Sequence, residues 1–179
     1  MPLTSSEKAK RARNRMLDKA REMSTGTYIT KFVAVDFQRM IRAEAAAEPD
    51  GYTLAVVEGH VQHVLRRRGE CICITCGQRQ YWNSGLGGMH TGHFLPSRRN
   101  SILFEEGNVA PQCSKCNRYR SGAPQEFRQW MLAVRGELVV ERLEQLKRTV
   151  VQFSREELVD KRIEFAARLR AAVERMKQK

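Results

Sequence analysis

One stretch limits what this chain can fold into. Residues 71–122 are bracketed by two Cys-x-x-Cys pairs, Cys73/Cys76 and Cys113/Cys116. A Cys-x-x-Cys turn places two sulfurs on one side of an ion. Two such turns close a tetrahedral Zn²⁺ site with Zn–S bonds of about 2.3 Å. The alternative is reduced, unligated cysteine. Between Cys76 and Cys113 lie 36 residues, more than a simple zinc ribbon needs, so a functional element is expected between the two knuckles. A fifth cysteine, Cys71, makes a competing Cys-x-Cys with Cys73. Its spacing is poorer, and it is expected to be a small buried apolar side chain.

Composition narrows the setting. The chain of 179 residues fits one domain, or one domain with helical extensions. Its formal charge is +12. Four thiolates around one Zn²⁺ would leave about +10, still strongly basic. That favours a polyanionic partner and says nothing about fold. No apolar run is long enough to span a membrane, and the charged N-terminus has no signal-peptide core. The expected setting is therefore the cytosol, where paired Cys-x-x-Cys motifs read as metal ligands rather than crosslinks.

Outside the central stretch the reading is mostly helical. Residues 1–26 form a basic arm, with seven Lys/Arg against three Asp/Glu in the first 25. It is read as a solvated helix or a DNA-touching arm. Residues 27–70 are read as two helices. Ile29, Val33, Phe37 and Met40 mark the first. After the Pro49-Asp50-Gly51 break, Thr53 caps a second, with Leu54, Val57, Val61 and Val64 on one face and His60 and His63 one turn apart. Residues 123–179 form a C-terminal helical region. Pro124 opens one helix, and Val139, Leu143, Leu146, Val150 and Phe153 mark another. Ser154 and Glu157 form a capping box for a third.

Within the centre, helical period disappears. Short β-prone stretches flank His93 and Val109, consistent with a hairpin, and a short helix is expected from Cys113 to Tyr119. A lone histidine means little, but His93 has a setting. Phe94 and the basic Arg98-Arg99 loop follow it, Asn108 comes one loop later, and Asn117 adjoins a cysteine ligand. Arg98, Arg99, Lys115, Arg118 and Arg120 are candidate phosphate contacts, which position DNA without reading sequence. Tyr81 and Trp82 are expected to pack over the zinc site rather than stack on a base.

This His…Asn…Asn order between zinc knuckles resembles the HNH, or ββα-metal, nuclease motif. CITCG, GHF and EEGNVAPQCSKCNRYRSG together resemble the phage NinG/Rap family of recombination endonucleases and, more distantly, phage endonuclease VII. The resemblance runs from about Val61 to the C-terminus. It implies His93 as general base, Asn108 as the residue orienting the hairpin, and Asn117 as a ligand of a catalytic Mg²⁺ or Mn²⁺. One departure stands out. Many HNH sites carry an acidic ligand directly before the base histidine, where this chain has Gly92. His90 is the candidate replacement, and an imidazole there favours a softer ion such as Mn²⁺.

The expectation is therefore a mixed α+β protein with a zinc-braced HNH centre between helical extensions. It would cleave branched DNA, such as Holliday junctions and D-loops, in phage recombination. Two rivals remain: an HNH nuclease acting on ordinary duplex DNA, and a non-catalytic zinc-braced nucleic-acid-binding module. The apolar stripes at the C-terminal end suggest either an intramolecular helical hairpin or a homodimer.

Overall fold

The computed structural model describes residues 4–85, 87–96 and 100–178. It is an α+β fold organised around one helical rod. The rod comprises α2 (Thr25–Tyr28), a π-helical turn (Ile29–Val33) and α3 (Ala34–Ala47). Ile29, Val33 and Phe37 are four residues apart, and the wider pitch of the π turn keeps them on one buried face. α7 (Arg155–Lys177) lies along α3. Alanines at the contact, Ala43, Ala46, Ala47 and Ala172, let the helices approach closely. The Ser154–Glu157 capping box that starts α7 is present as expected.

The N-terminal arm is helical. α1 (Ser5–Arg21) opens on a Thr4–Glu7 capping box and buries only Leu17 and Ala20. Arg13 reaches Asp160 on α7 at 2.8 Å, so α1 is docked on α7 rather than free in solvent.

The expected second helix after Thr53 is not formed. β1 (Gly51–Val57) and β2 (His60–Arg66) make an antiparallel hairpin instead. The turn is Glu58-Gly59, both at positive φ (51° and 80°), the backbone of a tight two-residue hairpin turn. Val56, Val57, Val61 and Val64 also suit a pleated surface better than a helix. The apolar spacing that mimicked a helix face was coincidental, and His60 and His63 lie on a strand. The hairpin is tied down at both ends. Arg66, 9% exposed, donates to the carbonyls of Ala45, Glu48 and Pro49, placing a cation at the C-terminal end of α3. Trp130 Nε1 donates to the Leu54 carbonyl at 2.8 Å.

Two further hairpins carry the centre. β3 (Glu70–Ile72) pairs with β4 (Arg79–Tyr81), and the first cysteine pair sits in the turn between them. β5 (Met89–His93) pairs with β6 (Val109–Cys113), His93 facing Val109 and Met89 facing Cys113. This second hairpin is the one expected around His93. α4 (Asn100–Leu103) and a 3₁₀ turn (Glu106–Asn108) join its strands, and the short helix expected after β6 forms as a π turn (Lys115–Tyr119). α5 (Pro124–Val134) and α6 (Glu137–Arg148) close the far side. All three apolar clusters touch the β5–β6 hairpin. Val109 joins the α1–α3–α7 core, Met89 and Cys113 join the cysteine–alanine cluster, and Ala110 joins the core under α5 and α6.

Of the C-terminal apolar stripe, Leu143 and Val159 are buried within the chain, and Val139, Leu146, Ile163, Ala166, Val173 and Met176 are half-buried. Leu158, Val159, Phe165 and Ala172 are buried on α7, and Val140 and Leu143 on α6. α6 ends at Arg148, so Val150 and Phe153 lie beyond it. Val150 is exposed, and Phe153 packs on Phe104.

Candidate metal centre and the cleft beside it

The four expected cysteines come together. The sulfurs of Cys73, Cys76, Cys113 and Cys116 all lie within 4.8 Å of one another. Cys76 and Cys113 are 3.8 Å apart, the edge of a tetrahedron whose metal–sulfur bonds are about 2.3 Å. Each knuckle is shaped by its own backbone. In the first, the amides of Cys76 and Gly77 donate to the Cys73 carbonyl, and Gly77 takes φ +74° against Val57. In the second, Cys116 N donates to Cys113 Sγ at 3.4 Å. A hydrogen bond from Cys76 draws the Cys73 thiol down to about 5 and raises Cys76 itself. Burial lifts Cys113 to about 11. A bound cation is what a full set of thiolates in this buried cluster would need. These four cysteines can hold a metal ion, and an all-sulfur tetrahedral set suits zinc. Cys71 is fully buried, donates to the Arg42 carbonyl, and is pushed up to about 12 by burial, as befits a structural thiol.

Beside this centre lies a cleft of about 600 Å³ that contains His90, His93, Asn117 and Arg118. His93 closes β5. Burial pushes its pKa below the usual 6.5, against a hydrogen bond to the Leu103 backbone that raises it. Its Nε2 is buried and has no hydrogen-bond partner among the described residues. A buried nitrogen in that condition costs about 1–3 kcal/mol unless something supplied from the cleft satisfies it. The His90 Nδ1 and Asn117 Nδ2 atoms are 3.2 Å apart, so strand β5 and the π turn meet at these two side chains. Asn108 does not face the cleft as a ligand. It is fully buried, accepts from Leu95 N at 2.8 Å and donates to the carbonyls of Leu95 and Ile102, locking the chain that leaves β5.

The candidate cations are unequal. Lys115 and Arg118 are exposed on the π turn. Arg120 is paired with Glu126 and lies 3.9 Å from Cys116 Sγ, so it braces the second knuckle. Arg98 and Arg99 lie outside the described residues. Trp82 is buried against the cysteine cluster as expected, whereas Tyr81 is 58% exposed. Among the cleft residues that escaped the sequence reading are Gln38 and Arg42 on α3. Their four-residue spacing put them on one helix face. Nothing local indicated that this face would meet β5.

A family model described as "Bacteriophage Lambda NinG protein" matches residues 5–175. The chain belongs to the NinG family. The match includes α1 and the α2–α3 rod, which the resemblance beginning near Val61 left out. The helices that hold the cleft thus belong to the NinG pattern together with the cysteine centre. No curated protein and no solved structure matches the chain. Among the described residues no helix is long and apolar enough to cross a membrane.

Proposed function

We propose that this NinG-family chain is a metal-dependent endonuclease of the ββα-metal kind, cleaving branched DNA during phage recombination in the host cytoplasm. One observation carries the reading: a hairpin and the turn after it bring His90, His93 and Asn117 into one cleft braced by the four-cysteine centre. The expected roles follow from position. Neutral His93 accepts the proton of an attacking water at Nε2, and its depressed pKa keeps it in the base form at neutral pH. Asn108 fixes the strand end that carries it. Arg118 and Lys115 meet the phosphate backbone. A divalent ion at His90 and Asn117 would supply charge neutralisation for the phosphoryl oxygens. The lining of the cleft contains no carboxylate among the described residues, so this nitrogen and amide set suits Mn²⁺ better than Mg²⁺.

The carboxylate-free lining also favours the rival reading of a zinc-braced binding module. Labelled four-way junction, D-loop and duplex, each with Mg²⁺ and Mn²⁺, separate the readings. Metal-dependent cutting of the branched substrates in preference to duplex is expected. Binding without cutting points to the module, and equal cutting of duplex points to an ordinary HNH nuclease. His93→Ala should abolish cleavage while DNA binding and zinc content stay. Protonation removes the base, so wild-type activity should be level above pH 6.5 and fall only as pH drops through the lowered His93 value. Cleavage by His93→Ala at the wild-type rate would place the base elsewhere.

A homodimer remains a separate proposal, since two cuts across a four-way junction suit paired active sites. With Leu143, Leu158 and Phe165 buried inside the chain, the exposed apolar residues of α5 and α6, Leu132, Val134 and Leu138, are candidates to meet a second copy.

A further inference from the structure

Arg42 stands on α3, outside the segment between the cysteine pairs, yet its side chain lines the same cleft as His90, His93, Asn117 and Arg118. It is held at two points. Nε donates to the Trp82 carbonyl at 3.3 Å and Nη1 to Thr91 Oγ1 at 3.2 Å. Thr91, two residues before His93 and 5% exposed, is fixed in turn by donating to the Gln38 carbonyl. Nη2 makes no hydrogen bond among the described residues, and no carboxylate there pairs with Arg42. The ion pairs of this region lie elsewhere, on Arg162, Arg168 and Arg120. Arg39 adds a second positive charge nearby.

A half-buried guanidinium with two neutral acceptors and no anion is costly to maintain. A guanidinium stays charged at any working pH, so it cannot escape the cost by losing its proton. The fork geometry suits a phosphate, which takes two parallel N–H bonds. The Trp82 carbonyl and the Thr91 hydroxyl that grip Nε and Nη1 also fix the plane in which the remaining donors point. Resting on the nuclease reading above, we infer that Arg42 is a further phosphate-binding cation of the cleft, holding one phosphodiester group of the nucleic acid against the wall that carries His93. The cleft is then composite: the rod α2–α3 supplies the anion grip, and the cysteine-braced hairpin supplies the histidines.

The test uses the full chain and labelled four-way junction DNA, first without added divalent ion, so that binding is read apart from cutting. Arg42→Gln removes the charge while keeping a donor for the Trp82 carbonyl or Thr91, and Arg42→Lys keeps the charge without the fork. The expected result for Arg42→Gln is about tenfold weaker binding. The slope of log affinity against log salt should be shallower by about 0.9, equally for junctions of different sequence. Arg42→Lys should restore the slope, yet cut more slowly than wild type at saturating DNA in Mn²⁺. Zinc content and melting temperature establish that each variant is folded. If Arg42→Gln does not fold, Arg42→Lys against wild type carries the test through its slope and saturated rate. A folded Arg42→Gln with wild-type affinity and slope overturns the inference, as does Arg42→Lys with wild-type cutting. If the wild type binds junctions but cuts nothing, the nuclease reading fails, and the salt slopes still decide whether Arg42 holds a phosphate.

Discussion

A Cβ built on Gly92, the residue before His93, would lie 1.9 Å from Gln112 Oε1. Gln112 is fully buried and donates through Nε2 to Thr75 Oγ1 at 3.1 Å and to the Gly122 carbonyl at 2.8 Å. It therefore stitches the first knuckle to the chain just past the second, and it crosses β5 where only a glycine leaves room. This explains the departure from the acidic residue expected before the histidine. A side chain at 92 would point into Gln112 rather than toward His93, since successive residues face opposite sides of a strand. Gly92→Ala should cost about 1–3 kcal/mol through overpacking and should speed loss of the bound metal to a chelator. Thermal melting and metal-release kinetics check it. A variant with unchanged melting would mean that Gln112 moves aside freely. At this scale the grouping of the four cysteines was legible from a short local pattern, and so was the nearness of His93 and Asn117 to it. Gln112 and Arg42 were not, because their roles exist only once distant strands and helices meet.

Among elements, the two knuckles were read correctly from Cys-x-x-Cys spacing, and the β5–β6 hairpin from short β-prone runs. The β1–β2 hairpin was misread, because apolar residues three and four apart outweighed the two-residue Glu58-Gly59 turn. That turn is the stronger signal, since its positive φ angles close a hairpin and cannot sit inside a helix. The elements around the metal centre bury little large apolar surface. Among the described residues the buried members of their cluster are cysteines and alanines with Trp82 and Met89, and Leu169, Val173 and Met176 pack against it half-buried. A metal ion held there would add cohesion to a cluster of mostly small buried side chains. Metal analysis should find about one zinc per chain, by the four-ligand rule. Cys113→Ser should lose the ion and lower the melting temperature, with the knuckles becoming protease-sensitive while α1, α3 and α7 remain helical by circular dichroism. Metal-free protein that melts like the loaded form would refute the structural role.

For the whole molecule, α7 is the brace that makes one body from separated parts of the sequence, and Arg168 is its most connected side chain. Its guanidinium pairs with Glu44 on α3 at 2.8 Å and with Glu106, in the 3₁₀ turn that ends in Asn108. One residue thus links the C-terminal helix, the central rod and the turn that locks the strand end bearing His93. The Glu106 bond raises the Arg168 pKa, and Arg168 lowers that of Glu106. Arg168 is about one-third exposed and Glu106 nearly half, so solvent screening tempers both pairs. The bidentate bond to Glu44 is the better shielded contact. Arg168→Met keeps the aliphatic stem and leaves both carboxylates without their partner. It should destabilise the chain by about 2 kcal/mol, the scale of charge-assisted hydrogen bonds. That corresponds to roughly 4–8 °C in melting temperature for a chain of this size. The sign with pH follows from the lowered Glu106 pKa. That part of the stabilisation is complete above the ordinary carboxylate value and disappears as pH falls through the lower folded value. The gap between wild type and Arg168→Met should therefore be widest near neutral pH and narrow in acid. Because Glu106 lies in the turn that ends in Asn108, the variant should also, on the nuclease proposal, cut more slowly than its remaining folded fraction explains. Equal melting at pH 7 would show that the α3–α7 packing holds the brace without Arg168.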